Sequence, residues 1–206
     1  IHLSDETELA GYLAHGVTGL RNMSGYPFHL QLAQAIKQGV ILSPDFITTG
    51  PILNSHGANE NIIQQIVMTD AEARLAVQAQ YNAGYRILKV YSNLTREAFD
   101  AILDEANRLN MSIVGHSPEG VRTKGIPYKK PFSISWGASL TRGFTTLEHI
   151  ETIVSHSLQG ELDENRMRKA AAKLAAAGET VTLTLIAHHR LFLLAEPDVD
   201  YLERPG

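Results

Sequence analysis

Short apolar, β-rich runs and helical patterns alternate along this chain, and few folds accept such an order. Strands are expected at 17–23, 46–53, 86–91, 112–116, 145–150 and 180–186, and helices at 6–15, 27–38, 70–83, 96–109 and 163–177. The helix boundaries carry recognisable chemistry. Thr69 and Glu72 have the spacing of a capping box, Thr95 stands where an N-cap belongs, and Gly39, Gly84 and Gly178 follow helix ends. Regular alternation of strand and helix implies a parallel α/β sheet.

Such a sheet stays open and doubly wound or closes into a (β/α)8 barrel. A dinucleotide-binding open sheet wants a glycine-rich turn directly after an early strand. Gly16-Val-Thr-Gly19 precedes its strand instead. Strand starts recur about every 30 residues, close to the rhythm of an eight-unit barrel of about 250 residues. A chain of 206 residues is therefore short of a complete barrel.

Composition narrows the function classes. Hydrophobic residues make up 44% of the chain, enough for a core. The formal net charge is −4, and the basic pair Lys129 and Lys130 sits in a Pro-rich loop, so no nucleic-acid partner is expected. No apolar run reaches the roughly 18 residues of a membrane span, so no membrane partner is expected. Cysteine is absent, which excludes disulfides and thiolate ligands and leaves His and carboxylates for any metal. The chain opens Ile-His-Leu-Ser-Asp and closes Glu-Arg-Pro-Gly. Those ends suggest either a removed signal or a cut from a larger protein, and a cytoplasmic and a periplasmic location both stay open.

Three strands end in chemistry-bearing side chains. Lys89 lies in Arg86-Ile-Leu-Lys-Val-Tyr91, His116 ends Ser112-Ile-Val-Gly-His116, and His149 lies in Thr145-Thr-Leu-Glu-His-Ile150. In a barrel the C-terminal strand ends converge on one face, and alternation along each strand lets all three point inward. Spacing alone leaves a metal site and a set of ordinary core residues as alternatives. Tyr91 either donates to a substrate oxyanion or caps the core. Glu148 and Glu151 bracket His149, Glu148 as a candidate for orienting ligands and Glu151 reading more simply as an exposed helix-start residue. His56, His188 and His189 fall in loops on the same face, where His56 and His188 are candidate substrate contacts. His15, His29 and His156 receive no role.

The stretches His2-Leu-Ser-Asp, Gly16-Val-Thr-Gly-Leu-Arg21, Leu88-Lys-Val-Tyr91, Val114-Gly-His-Ser-Pro-Glu119 and Leu147-Glu-His-Ile-Glu151 resemble the amidohydrolase superfamily, within it the imidazolonepropionase-like and prolidase-like branch. The resemblance implies a TIM-type barrel in which strands 2–7 are present and strands 1 and 8 are missing, as a single domain over 1–206. It further implies His2, Lys89, His116 and His149 as metal ligands, with Lys89 carbamylated and bridging. Lys89 and Tyr91 become the catalytic residues. The cofactor implied is a divalent metal, two zinc ions or else manganese, cobalt or iron. The reaction implied is hydrolysis of an amide, peptide or cyclic C–N bond in a small-molecule or peptide substrate, by a homo-oligomer.

The chain also departs from that pattern. A first His before Ile1 and a late strand-end Asp are absent from the sequence, and Asn22 stands where relatives often carry Asp. A lactonase or phosphotriesterase on the same centre, and a barrel piece without chemistry, are the rival readings. The irregular segment 122–136, with Tyr128, Phe132 and Trp136, is expected to form a lid over the site. Residues 1–206 by themselves are expected to expose strand edges and to associate.

Overall fold

The computed structural model describes residues 1–58, 60–120, 132–140 and 143–195. Its elements run α1 (Glu8–Ala14), β1 (Gly19–Asn22), α2 (Pro27–Lys37), β2 (Asp45–Thr48), β3 (Ile52–Asn54), β4 (Gln64–Ile66), α3 (Asp70–Ala83), β5 (Ile87–Val90), α4 (Arg96–Arg108), β6 (Ser112–Gly115), α5 (Trp136–Leu140), β7 (Phe144–Glu148), a π-helix (Ile153–Ser157), α6 (Glu164–Ala177), β8 (Val181–Thr182) and α7 (Leu185–Ala195). All strand pairings among the described residues are parallel, so the alternating pattern has the outcome expected of it.

Local chemistry sets the helix ends. Thr69 Oγ1 accepts from Glu72 N–H (3.3 Å) while Glu72 Oε2 accepts from Thr69 N–H (3.2 Å), which closes the capping box at the start of α3. Thr95 Oγ1 accepts from Ala98 N–H at 3.0 Å to start α4. Asp163 does the same for α6 through Arg166 N–H at 2.8 Å.

The strands form two hydrogen-bonded groups, β1-β2 and β4-β3-β5-β6-β7-β8. The expected strand 46–53 is bent rather than continuous. Thr49 N–H still donates to Asn22 O beside β1, whereas Gly50 N–H donates to Ile87 O beside β5. Pro51 follows with no N–H to offer. The chain therefore changes neighbours at the bend, and β2 and β3 together link the two groups. On the far side of β1, the Ile1 amino group donates to Arg21 O (3.0 Å) and Ile1 O accepts from Met23 N–H (2.9 Å), the bonding of an adjacent parallel strand.

The main core packs α3 and α4 on β3, β5, β6 and β7 through Leu53, Val77, Leu88, Val90, Phe99, Ile102, Ile113 and Leu147. A smaller cluster of Leu3, Leu9, Leu20 and Leu32 seats α1 and α2 on β1. Leu185 and Ile186, expected to finish a strand, instead open α7. The break comes at Thr184, whose φ of 55° turns the chain away from β8. His188 and His189 consequently ride on a helix. Along α7, Leu185, Ile186, Leu191, Phe192 and Leu194 are exposed. No helix among the described residues is long and apolar enough to cross a membrane.

Candidate metal centre

Sheet register brings the strand-end residues to one rim. Gly115, the last residue of β6, has φ 140°, and a Cβ there would lie 2.1 Å from Val90 O, so only glycine lets β6 close on β5 at this level. The next residue, His116, donates its N–H to Val90 O at 3.1 Å and is buried. Its ring lies 4.1 Å from the Tyr91 ring and 4.8 Å from the His149 ring, centre to centre. Burial, reinforced by the nearby Lys89 charge, pushes the His116 pKa down to about 3, so the imidazole is neutral and its lone pair available.

His149 follows β7 with φ 69°, in the left-handed region. Its Nδ1 lies 2.7 Å from Thr184 Oγ1, and that hydroxyl donates to Thr182 O at 3.3 Å. With the hydroxyl proton so committed, Nδ1–H donates to Thr184 and Nε2 keeps its lone pair. Glu151 completes the group: Oε1 is 3.5 Å from His116 Nε2, and Oε2 is 2.8 Å from His188 Nε2. Burial works against the Glu151 charge, but the hydrogen bond from His116 and the proximity of His149 outweigh it and lower its pKa. One donor atom each from His116, His149 and Glu151 all lie within 4.8 Å of one another.

Lys89 lies in the wall of the same interior, 1% exposed, its Nζ without a hydrogen-bond partner among the described residues. Burial lowers its pKa to about 8 against the opposing pull of Glu148. His2 is an exposed residue, and desolvation with the Lys89 charge lowers its pKa to about 4. Glu148, 2% exposed, accepts from Arg21 Nη2 at 2.8 Å, and the Arg21 guanidinium also donates to Thr146 Oγ1 (2.9 Å) and Thr182 Oγ1 (3.1 Å). Asn22, beside it on β1, is fully buried: its Oδ1 accepts from Leu3 N–H while its Nδ2 donates to Ser24 O and Thr48 Oγ1. A carboxylate could not make the two donations, which gives Asn a physical reason at this position.

Other expected residues fall differently. Tyr91 is half-buried, against His116. His188 reaches the group through Glu151, as a residue of α7 rather than of a loop. His56 is exposed and pairs with Glu60 at 3.0 Å, away from these contacts. Glu151, read from the sequence as an exposed helix start, is instead half-buried between His116 and His188. His29, given no role, caps α2 through Tyr26 N–H and approaches Leu3 O at 3.0 Å with its other nitrogen. Residues 121–131, most of the expected lid, lie outside the described residues. Of its aromatics, Phe132 and Trp136 turn to His156, with ring centres at 4.8 and 5.7 Å.

The donor set fits a divalent cation. It joins neutral imidazoles and a carboxylate, with a buried amine that nothing else among the described residues satisfies.

No protein-family model matches the chain, and no curated protein does. Solved structures do match. The chain is similar to a bottromycin amidohydrolase, with 26% identity and a TM-score of 0.69, over 90% of this chain and 40% of that one. A Xaa-Pro dipeptidase with methionine bound in its active site matches with 16% identity and a TM-score of 0.65, over 94% of this chain and 48% of that one. The ochratoxinase of A. niger matches with 19% identity and a TM-score of 0.54, over 86% of this chain and 54% of that one. The chain thus spans about half the length of these structures, or less. Its fold is that of amidohydrolase and prolidase structures, a parallel α/β sheet of the TIM-barrel type.

Proposed function

We propose that the protein is a metal-dependent hydrolase that cleaves a C–N bond, in an amide, peptide or cyclic amide, of a small-molecule or peptide substrate. The convergence of His116, His149 and Glu151 within 4.8 Å, on a fold similar to a bottromycin amidohydrolase, carries this reading.

In the proposal His116 and His149 hold divalent metal, with Lys89 and His2 as further ligands and Glu151 as an added carboxylate donor. Bound there, the metal supplies Lewis-acid polarisation of the scissile carbonyl and acidifies a water. The chain's own residues do the rest. Thr184 keeps His149 in the tautomer whose Nε2 can ligate. Lys89, whose burial eases loss of its proton, reacts as the neutral amine with CO2: its N–C bond forms as a proton leaves, and a wall amine becomes an anionic oxygen ligand. The Tyr91 phenol, beside His116, donates to the developing oxyanion. His188, whose Nε2 lies 2.8 Å from Glu151 Oε2, and His56, on the loop after β3, contact substrate.

The test uses the full-length protein. Chelator dialysis should abolish hydrolysis across a panel of dipeptides, acylated amino acids and lactones, and Zn²⁺, Mn²⁺ or Co²⁺ should restore it. Active enzyme found metal-free by elemental analysis would refute the proposal, and turnover confined to lactones would reassign the bond cleaved.

A further inference from the structure

Two reciprocal polar contacts join the loop after β6 to the π-helix. From the loop, Ser117 Oγ lies 2.7 Å from His156 Nδ1. From the π-helix, Ser155 Oγ donates to Glu119 Oε1 at 3.1 Å. His156 uses its second nitrogen as well, since Nε2 lies 2.7 Å from Ile134 O and a carbonyl can only accept. Nε2 therefore carries a proton and donates to Ile134, Nδ1 shares a hydrogen bond with the Ser117 hydroxyl, and both ring nitrogens are engaged. Ser117, Glu119, Ile134 and His156 are all at most 3% exposed. Around the ring stand Phe132 and Trp136.

The two segments so joined are those that carry the donor group. Ser117 directly follows His116. The π-helix follows His149 and Glu151 without an intervening loop: Thr152 N–H donates to His149 O (3.3 Å), and Val154 N–H donates to Ile150 O (3.1 Å). Its wide turn closes with Leu158 N–H on Ile153 O, five residues back, at 3.0 Å. Glu119 is itself tied to the turn that follows β5, through its N–H to Ser92 O at 2.8 Å. A shift of the π-helix against the loop would therefore separate His116 from His149 and Glu151, and His156 resists that shift from both sides of its ring.

We propose that His156 is a positioning residue of the metal centre, acting through Ser117 on His116 and through the π-helix on His149 and Glu151. This rests on the proposed metal-dependent function. Buried hydrogen-bonded partners of ligand segments fix donor geometry, and their removal typically weakens metal binding by roughly 10–100-fold.

The experiment measures Zn²⁺ affinity of the full-length protein by competition with a chromophoric chelator, and the visible spectrum of the Co²⁺-substituted form. Neither readout needs a substrate. Ser117→Ala and His156→Ala should each raise the Zn²⁺ dissociation constant roughly tenfold or more. The double variant should be no worse than His156→Ala alone, because both changes remove the same bond. The Co²⁺ bands should move in both single variants. Should His156→Ala not fold, Ser117→Ala decides by itself. A Zn²⁺ affinity within about twofold of wild type and an unchanged Co²⁺ spectrum in Ser117→Ala would overturn the inference, even with a lower melting temperature, since that is the pattern of a merely structural contact. A wild-type protein that binds no Zn²⁺ would instead bring down the functional proposal, and this inference with it.

Discussion

Arg21 and Glu148 meet at 2.8 Å although they come from opposite ends of the strand array, β1 and β7. With strands about 4.8 Å apart, a flat array would hold β1 roughly 19 Å from β7, beyond the reach of any side chain. The array must curve so that its first strand faces its last ones, and the same guanidinium touches Thr182 of β8. Curvature of this kind turns the strand-end residues towards a common centre.

The pair also carries stability. Glu148 is 3% exposed at its side chain and Arg21 28%, so removal of the arginine leaves a desolvated carboxylate with no counter-charge from β1. Arg21→Met should destabilise the full-length protein by about 3 kcal/mol, in the range for breaking a buried ion pair from one side. Urea unfolding followed by circular dichroism checks this. An unchanged midpoint would show that the pair contributes nothing net.

His116→Ala and His149→Ala should each lower bound metal to well below one ion per centre and reduce hydrolysis by several orders of magnitude. Elemental analysis of purified variants decides the first point. Full metal occupancy in His149→Ala would remove that residue from the ligand set.

Lys89 offers a separate handle, because its proposed role needs CO2 as well as metal. Apo-protein should regain activity faster with metal and bicarbonate than with metal alone. Lys89→Ala should be nearly inactive, and a small carboxylic acid should restore part of the rate by filling the vacated place. Normal activity in Lys89→Met would reduce the residue to a part of the wall.

A pH effect on stability is expected from Glu105, far from the proposed centre. The Arg108 hydrogen bond, followed by that of Gln78, lowers its pKa from 4.5 to about 2. The folded-state pKa lies below the unfolded one, so this stabilisation is complete above pH 4.5 and is lost as pH falls towards 2. Glu105→Gln should therefore lower the melting temperature at pH 7 by roughly 2–4 °C, the shift that about 1 kcal/mol produces in a chain of this size. Near pH 2 the two proteins should melt together. A constant difference across that range would assign the effect to packing.

What could be read in the sequence follows from the range of each interaction. Helix α3 was legible at both ends, Asp70 and Ala83, because Thr69, Glu72 and Gly84 act within a turn of them. Lys89, His116 and His149 were legible as strand-end residues because a period of two and a barrel rim are regular geometry. Strand β4 was not, since Gln64-Gln-Ile66 is short and polar and is held as a strand only by pairing with β3. Nor was α7: Val181 to Leu185 alternates apolar residues with threonine, a strand period that runs on past the real end of β8, and the turn that separates strand from helix lies in the backbone of Thr184. Glu151 escaped for a different reason. Its environment is made by His116 and His188, each more than thirty residues away, and no local signal announces either contact. His156 was hidden by an i→i+5 turn that no helical period describes.

The left-handed backbone of His149 places a cost where the donor is. At φ 69° a residue with a β-carbon is held in a sparsely populated conformation, at a cost of order 1 kcal/mol or more that the surrounding contacts must offset. Glycine would occupy the same backbone freely. In metal-free protein His149→Gly should relieve that strain while giving up the Thr184 contact, and it leaves the protein without its donor. The strained backbone is thus kept for the imidazole itself, at a position where glycine would sit without strain.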